Sequence, residues 1–158
     1  MAGVTHNRAR KSAPSLAINV GVDGIQQTLA AFKQLPKDAS NELRNATLVL
    51  AKLLADAASE AGRAEGRQAA LAAPTVVARR DRIPIVVVGG TKRVGRRRVP
   101  VYKILFGSEF GSSRLKQYKP HRGREGYWFF PTVEREAQAT ADVWGRMAEA
   151  IIAKWSEG

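Results

Sequence analysis

The chain contains no cysteine, which excludes disulfides, thiolate metal sites and cysteine nucleophiles together. Histidine is almost as scarce: His6 and His121 stand far apart, and two imidazoles without thiols make no ligand cluster at metal spacing. Long apolar runs are missing too. Ile85 to Val88 is typical of the longest, far below the roughly 20 residues a membrane-spanning helix needs. The first residues hold no apolar stretch of the kind found in a secretory leader, so a soluble protein is expected. Acids are few, 14 against 26 lysines and arginines, for a formal charge of +12. An excess of that size favours an anionic partner, whether nucleic acid, an acidic protein surface or an anionic membrane.

What remains is ordinary globular material. With 44% hydrophobic and 25% charged residues in a chain of 158, one domain can bury roughly 68 to 70% of its unfolded surface and fold without staples. Residues 1–14, bearing Arg8, Arg10 and Lys11 without apolar period, read as a basic N-terminal arm, and 15–158 as a single α+β domain.

From Leu16 to Val22 apolar and small or polar residues alternate, the period of a half-buried strand. Asp23 with Gln26 resembles a capping box, opening a helix from Gly24 to about Gln34 that Pro36 stops. Pro36 in turn suits the first turn of a second, longer helix. Its stripe of Leu43, Ala46, Leu50, Leu53, Leu54, Ala57, Ala58 and Ala61 predicts a helix from Pro36 to about Ala61, frayed on to Ala72.

After Thr75 the chain turns β-branched. Val76, Val77, Ile83, Ile85, Val86, Val87 and Val88, then Val99 to Phe106, predict an antiparallel hairpin whose long loop is Thr91 to Arg98, TKRVGRRR. Tyr127 to Phe130 predicts a further short strand. Thr132 is then a candidate N-cap for a last helix with Val133, Ala137, Ala141, Trp144, Ala148, Ile151 and Trp155 on one face. The expected fold is thus α+β: an N-terminal strand and two helices, an antiparallel sheet of three to four strands, and a C-terminal helix packed on the sheet.

The segment Gly90 to Arg96, GTKRVGR, is a near miss to a phosphate-cradling loop. Arg96 and Arg97 occupy the place of the lysine and hydroxyl that would hold phosphate and magnesium, so nucleotide hydrolysis is excluded. As a contact surface the loop is more credible: Lys92, Arg93, Arg96, Arg97 and Arg98 fit a nucleic-acid backbone, an acidic protein surface or plain solvation, and composition does not choose among them. A second basic loop, Ser112 to Gly126, carries Arg114, Lys116, Lys119, Arg122 and Arg124, and at about fifteen residues is long enough to expect a function. Glu109 reads as an outward partner for nearby cations, with Phe110 turned inward, in a tight S-E-F-G turn closed by Gly111. No catalytic constellation is legible, and no enzyme activity or cofactor is expected.

Three features together resemble the head-to-tail joining proteins of long-tailed bacteriophages, the neck or tail-completion proteins often described as gene-product-ten-like. They are V-G-V-D at Val20 to Asp23, followed by F-x-x-L-P at Phe32 to Pro36 and an alanine-rich helix; Y-x-x-x-F-G-S-E-F-G from Tyr102 to Gly111; and G-x-x-G-Y-W-F-F-P-T from Gly123 to Thr132 before the last helix. The resemblance implies a structural virion protein at the head-tail junction, made in the host cytoplasm. It would form a hexameric or dodecameric ring around the DNA channel. Its partners would be other neck, portal-adaptor, terminator or tail-tube proteins and the genomic DNA, with no membrane, cofactor or metal. Carried onto this chain, Glu109, Phe110 and Gly111 form a fold-defining turn, and Tyr127, Trp128, Phe129, Phe130 and Pro131 a junction that sets the last helix. A tail-terminator ring or a free-standing nucleic-acid-binding module fits the same basic segments.

Overall fold

A computed structural model describes residues 2–8, 15–22 and 24–157, with side chains from Ser15 onward, Val22 excepted. Strands β1 (Ala2–Arg8) and β2 (Ser15–Val22) are followed by helices α1 (Ile25–Lys33), α2 (Lys37–Glu65) and α3 (Arg67–Ala72). Strands β3 (Val77–Arg79) and β4 (Ile85–Gly89) come next, then a two-stranded ribbon of β5 (Arg93–Val94) and β6 (Val99–Pro100). Helix α4 (Val101–Phe110), the loop to Gly126 and the long helix α5 (Phe129–Ser156) complete the mixed α+β fold.

The main sheet is antiparallel with order β1-β2-β4-β3. Alternation on β2 produces this arrangement, because Leu16, Ile18 and Val20 point to one face and are buried. Leu16 pairs with Val88 and Ile18 with Val86, so two buried rows on neighbouring strands present one apolar surface. Residues 2–8, expected in an arm, instead pair with β2 from Ala2 opposite Val22 to Arg8 opposite Leu16. A seven-residue strand needs no periodicity of its own when its neighbour supplies the hydrogen-bonding edge. Arg10, Lys11 and Asp23 lie outside the described residues, as does the side chain of Arg8.

Helices α2 and α5 run antiparallel across the molecule. At one end Leu54, Ala55 and Ala58 of α2 join Phe129, Val133, Ala137 and Ala141 of α5 in a core that includes the sheet rows and Val101 and Leu105 of α4. At the other end Phe32 of α1, Leu43 and Leu50 of α2 and Trp144, Ala148 and Ile151 of α5 form a second cluster. Two indoles lock that end: Trp144 Nε1 donates to the Arg82 carbonyl at 2.7 Å and Trp155 Nε1 to Glu42 at 2.6 Å.

Three local expectations are corrected. Val99 to Phe106 is not a strand: only Val99 and Pro100 pair, and from Val101 the chain is helical through FGSEFG to Phe110. Its buried residues Val101, Ile104, Leu105, Ser108 and Glu109 stand at i, i+3, i+4, i+7 and i+8. One helix face buries all five, which outweighs the β-propensity of valine, tyrosine and isoleucine. Tyr127 to Phe130 is not a strand either; it is the entry to α5, which begins at Phe129. Thr132 consequently lies inside the first turn, where its hydroxyl donates to the Trp128 carbonyl at 2.6 Å, and it caps nothing. Helix α1 starts after Gly24 at φ 74°, and the capping box expected at Asp23 falls outside the described residues.

Gly62, on α2, stays helical and admits Trp128. A Cβ there would lie 2.9 Å from Cε3 and Cζ3 of that indole, which is 1% exposed. Alanine would gain about 1 kcal/mol of helix propensity, but an indole walled in by core has nowhere to move, and overpacking costs about 1–3 kcal/mol. Gly62→Ala should therefore lower the melting temperature, measured by circular dichroism; a rise would show that Trp128 has room.

Candidate interaction surface

Helix α5 opens without a residue of capping type at its N-terminus, so its first amides need acceptors from elsewhere. Glu109 supplies them from α4. Its Oε1 accepts from the amides of Tyr127 at 2.9 Å, Trp128 at 2.8 Å and Phe129 at 3.1 Å, and its Oε2 from Phe130 at 2.7 Å. The side chain is fully buried. The outward ion-pairing role read from the sequence is thus replaced by a tertiary cap, a carboxylate at the positive end of a helix dipole.

Burial pushes the Glu109 carboxyl above the ordinary carboxylate range, and the four amide donors pull against that shift. Gly126 makes the approach possible, since a Cβ there would stand 2.8 Å from Glu109 Cδ, and its φ of 74° is itself one that favours glycine. Phe110 is half-buried, its ring 6.2 Å from Phe106 and 5.8 Å from Phe130. Motifs FGSEFG and GYWFFP are therefore the two halves of one latch.

Between the halves lies the loop from Ser112 to Gly126, held closely despite having only a single 3-10 turn. Ser112 N donates to Lys119 O at 2.8 Å and Arg122 N to Phe110 O at 2.7 Å. Gly111, at φ 78°, passes so near this loop that a Cβ would lie 2.2 Å from Pro120 O. The Tyr118 ring covers Gly107, where a Cβ would meet it at 2.5 Å, and its hydroxyl donates to Lys103 O at 3.3 Å. The Tyr127 hydroxyl donates to Pro120 O at 2.5 Å.

These contacts divide the basic residues expected to meet a partner. Arg122 lies over the Tyr127 ring, 4.1 Å from its centroid, and Lys119 pairs with Glu65 at the end of α2. Both hold the loop in place. Arg114, Lys116 and Arg124 are exposed, with no ion-pair partner among the described residues, and His121 is exposed beside them.

The other basic segment is a tight hairpin. The Arg93 guanidinium donates to Arg98 O at 2.8 Å, Arg98 N to Gly95 O at 3.2 Å, and Val101 N to Lys92 O at 2.9 Å. Arg98 adopts a left-handed φ of 53°, rare for a residue with a side chain. Arg93 and Arg98 thus shape the turn, while Lys92, Arg96 and Arg97 project into solvent. An open hollow of about 610 Å³ beside the hairpin is lined by Pro74, Thr75, Lys92, Arg93 and Arg98.

Charge is segregated along the chain. Residues 67–124 contain fifteen lysines and arginines and two acids, so the whole positive excess lies there. Of those two acids Glu109 is buried, and Asp81 accepts from the backbone amide of Arg82 at 2.6 Å. Both basic segments adjoin α4, the hairpin at its N-terminus through Val101 N and Lys92 O and the loop along it through the Tyr118 hydroxyl and Lys103 O. Among the described residues no three His, Asp or Glu side chains come together as metal ligands, and no helix is long and apolar enough to cross a membrane. No family model, curated protein or solved structure matches the chain.

The latch is testable by substitution. Glu109→Ala should cost on the order of 3–5 kcal/mol, since it orphans four buried donors; Glu109→Gln, keeping one acceptor oxygen but setting an NH2 against Phe130 N–H, should cost about 1–3 kcal/mol. Because burial raises this carboxyl, the folded chain holds its proton more tightly than the unfolded chain. The group's contribution is therefore fullest below the ordinary carboxylate pKa and declines as pH rises through the raised one. The melting-temperature gap between wild type and Glu109→Gln should narrow over that window, and a widening gap would mean that the amides outweigh burial.

Proposed function

We propose that this chain is a structural subunit of the bacteriophage head-to-tail junction, of the neck or tail-completion kind, which assembles with copies of itself into a ring around the DNA channel. The observation that carries the reading is the latch. Two of the three segments on which the resemblance rests meet through Glu109, and together they flank a basic loop held by backbone hydrogen bonds. A device of this kind suits contact: it presents cations at low entropic cost on binding, because the backbone is already ordered.

Within the site, Lys92, Arg96, Arg97, Arg114, Lys116 and Arg124 are the contact residues, whereas Arg93, Arg98, Lys119 and Arg122 support them. The proposed partners are neighbouring copies, adjoining neck, terminator or tail-tube proteins, and the DNA that passes through. The reading includes no catalysis and no cofactor. Concentration of the positive charge in residues 67–124 also favours a second reading, a free-standing nucleic-acid-binding module.

Native mass spectrometry and tail-association assays separate the two. A closed ring that co-sediments with phage tails is expected. A monomer that ignores tails and binds duplex DNA, with log affinity falling against log salt by about 0.9 per neutralised phosphate, would install the second reading instead. Arg96→Ala with Arg97→Ala should leave stability within about 0.5 kcal/mol while lowering the yield of infectious particles. Arg98 is left in place because its backbone makes the turn. Normal yield would mark these arginines as solvated only.

A further inference from the structure

Two surfaces outside the latch match each other in shape and sign. The first is the tip of the loop. Leu115 is 52% exposed, the one large apolar side chain so exposed in that loop, and it stands between the exposed cations Arg114 and Lys116. The tip is rigid: the amides of Arg114 and Leu115 donate to Ser112 Oγ at 3.2 and 3.1 Å, and Tyr118 N donates to Leu115 O at 3.2 Å. A leucine held out on an ordered turn loses little freedom on being buried elsewhere.

The second is a groove on the outer side of the α2–α5 pair, about 200 Å³ in volume and lined by Leu50, Leu53, Leu54, Ala57, Thr140 and Val143. Its rim extends the apolar surface, for Val49 and Leu53, one helical turn apart, are each 63% exposed. Asp56 and Glu60 follow Leu53 on exposed positions of α2, with no ion-pair partner among the described residues. Glu136 lines the groove from α5 and meets Arg135 at 3.9 Å. Lys52 is the cation of α2 nearest in sequence to this stretch. The groove is thus an apolar slot beside acids, and the tip is an apolar knob between cations. Within a single chain the knob is exposed and the groove contains no residue of the loop, so the match is between copies.

We propose that Leu115 of one copy seats in the α2–α5 groove of the next, with Arg114 and Lys116 over Asp56, Glu60 and Glu136. The contact is heterologous, using different patches on the two copies, and repetition closes a ring when the rotation per step divides a full turn. This rests on the reading that the chain assembles with itself, and it assigns that assembly a surface. Opposite charge around a small apolar anchor also sets which face meets which, since the reversed pairing sets like charges together.

The test uses full-length chains, Leu115→Asp and Leu53→Asp, with native mass spectrometry and melting curves. Both side chains are solvent-exposed, so wild-type melting is expected. Each variant alone should lose the ring and run as a monomer, because each retains one good surface without its complement. Mixed in equal amounts they should form a dimer that grows no further, with the intact groove of Leu115→Asp holding the intact Leu115 of Leu53→Asp. As a second arm, Arg114→Glu with Lys116→Glu should abolish the ring, and combining it in one chain with Asp56→Lys and Glu60→Lys should restore it. Rings formed normally by either single variant, or monomers that fail to pair in the mixture, would overturn the knob-and-groove contact while leaving ring assembly standing. A wild-type chain that never self-associates would overturn ring assembly and this contact with it.

Discussion

The carboxylate of Glu109, buried among four backbone amides, is the interaction on which the arrangement of this molecule depends. Helix α5 opens on Trp128 as its N-cap residue and then Phe129, Phe130 and Pro131, a segment rich in apolar surface and poor in side-chain acceptors, so it brings to the core an N-terminus it cannot cap itself. An uncapped helix end in a dry interior leaves orphan donors at a cost that packing alone does not recover. Helix α4 resolves this by burying an acid on its apolar face, where the helix dipole and the amides meet a negative charge. Neither element is complete alone, and the connecting loop must return to the place where they meet.

That requirement explains the loop. A connection of about fifteen residues usually explores many conformations, yet this one is pinned at Gly107, Gly111, Pro120, Tyr127 and Glu65 by contacts that would not survive a longer or bulkier chain. Two of its cations, Lys119 and Arg122, support it through contacts to Glu65 and Tyr127 while remaining exposed, and the others are displayed without such partners among the described residues. The same economy holds in the neighbouring hairpin, where Arg93 and Arg98 make a turn that exposes Arg96 and Arg97. In the proposed virion role such order means that contact surfaces exist before a partner arrives, and the opposite charges beside the loop tip and beside the α2–α5 groove give copies a preferred way to meet.

Much of the scaffold was legible. The strand at Leu16 to Val22, the helix stopped by Pro36, the long alanine-rich helix and the C-terminal helix all follow from patterns of period 2 or 3.6 that local geometry converts directly into a buried face. The region from Val99 to Phe130 was not legible by the same means. Valine, tyrosine, isoleucine and phenylalanine bias the eye toward strands, and Gly107 interrupts an apparent helix. The spacing of Val101, Ile104, Leu105, Ser108 and Glu109 held the answer, but only for a reader willing to count an acid as a core residue. Strand β1 was hidden for a different reason: its partner strand, and nothing in its own pattern, makes it a strand.

What the sequence by itself determined is the α+β class, the absence of thiol chemistry, the strongly positive charge and where along the chain it falls, because these depend on composition and on short-range period. What only the tertiary structure decided is which cations are structural and which are displayed, that Glu109 faces amides and not arginines, and that an apolar tip and an apolar groove coexist on one chain. Those facts depend on contacts between residues far apart in sequence, where burial, direction and distance set the chemistry and residue type alone does not.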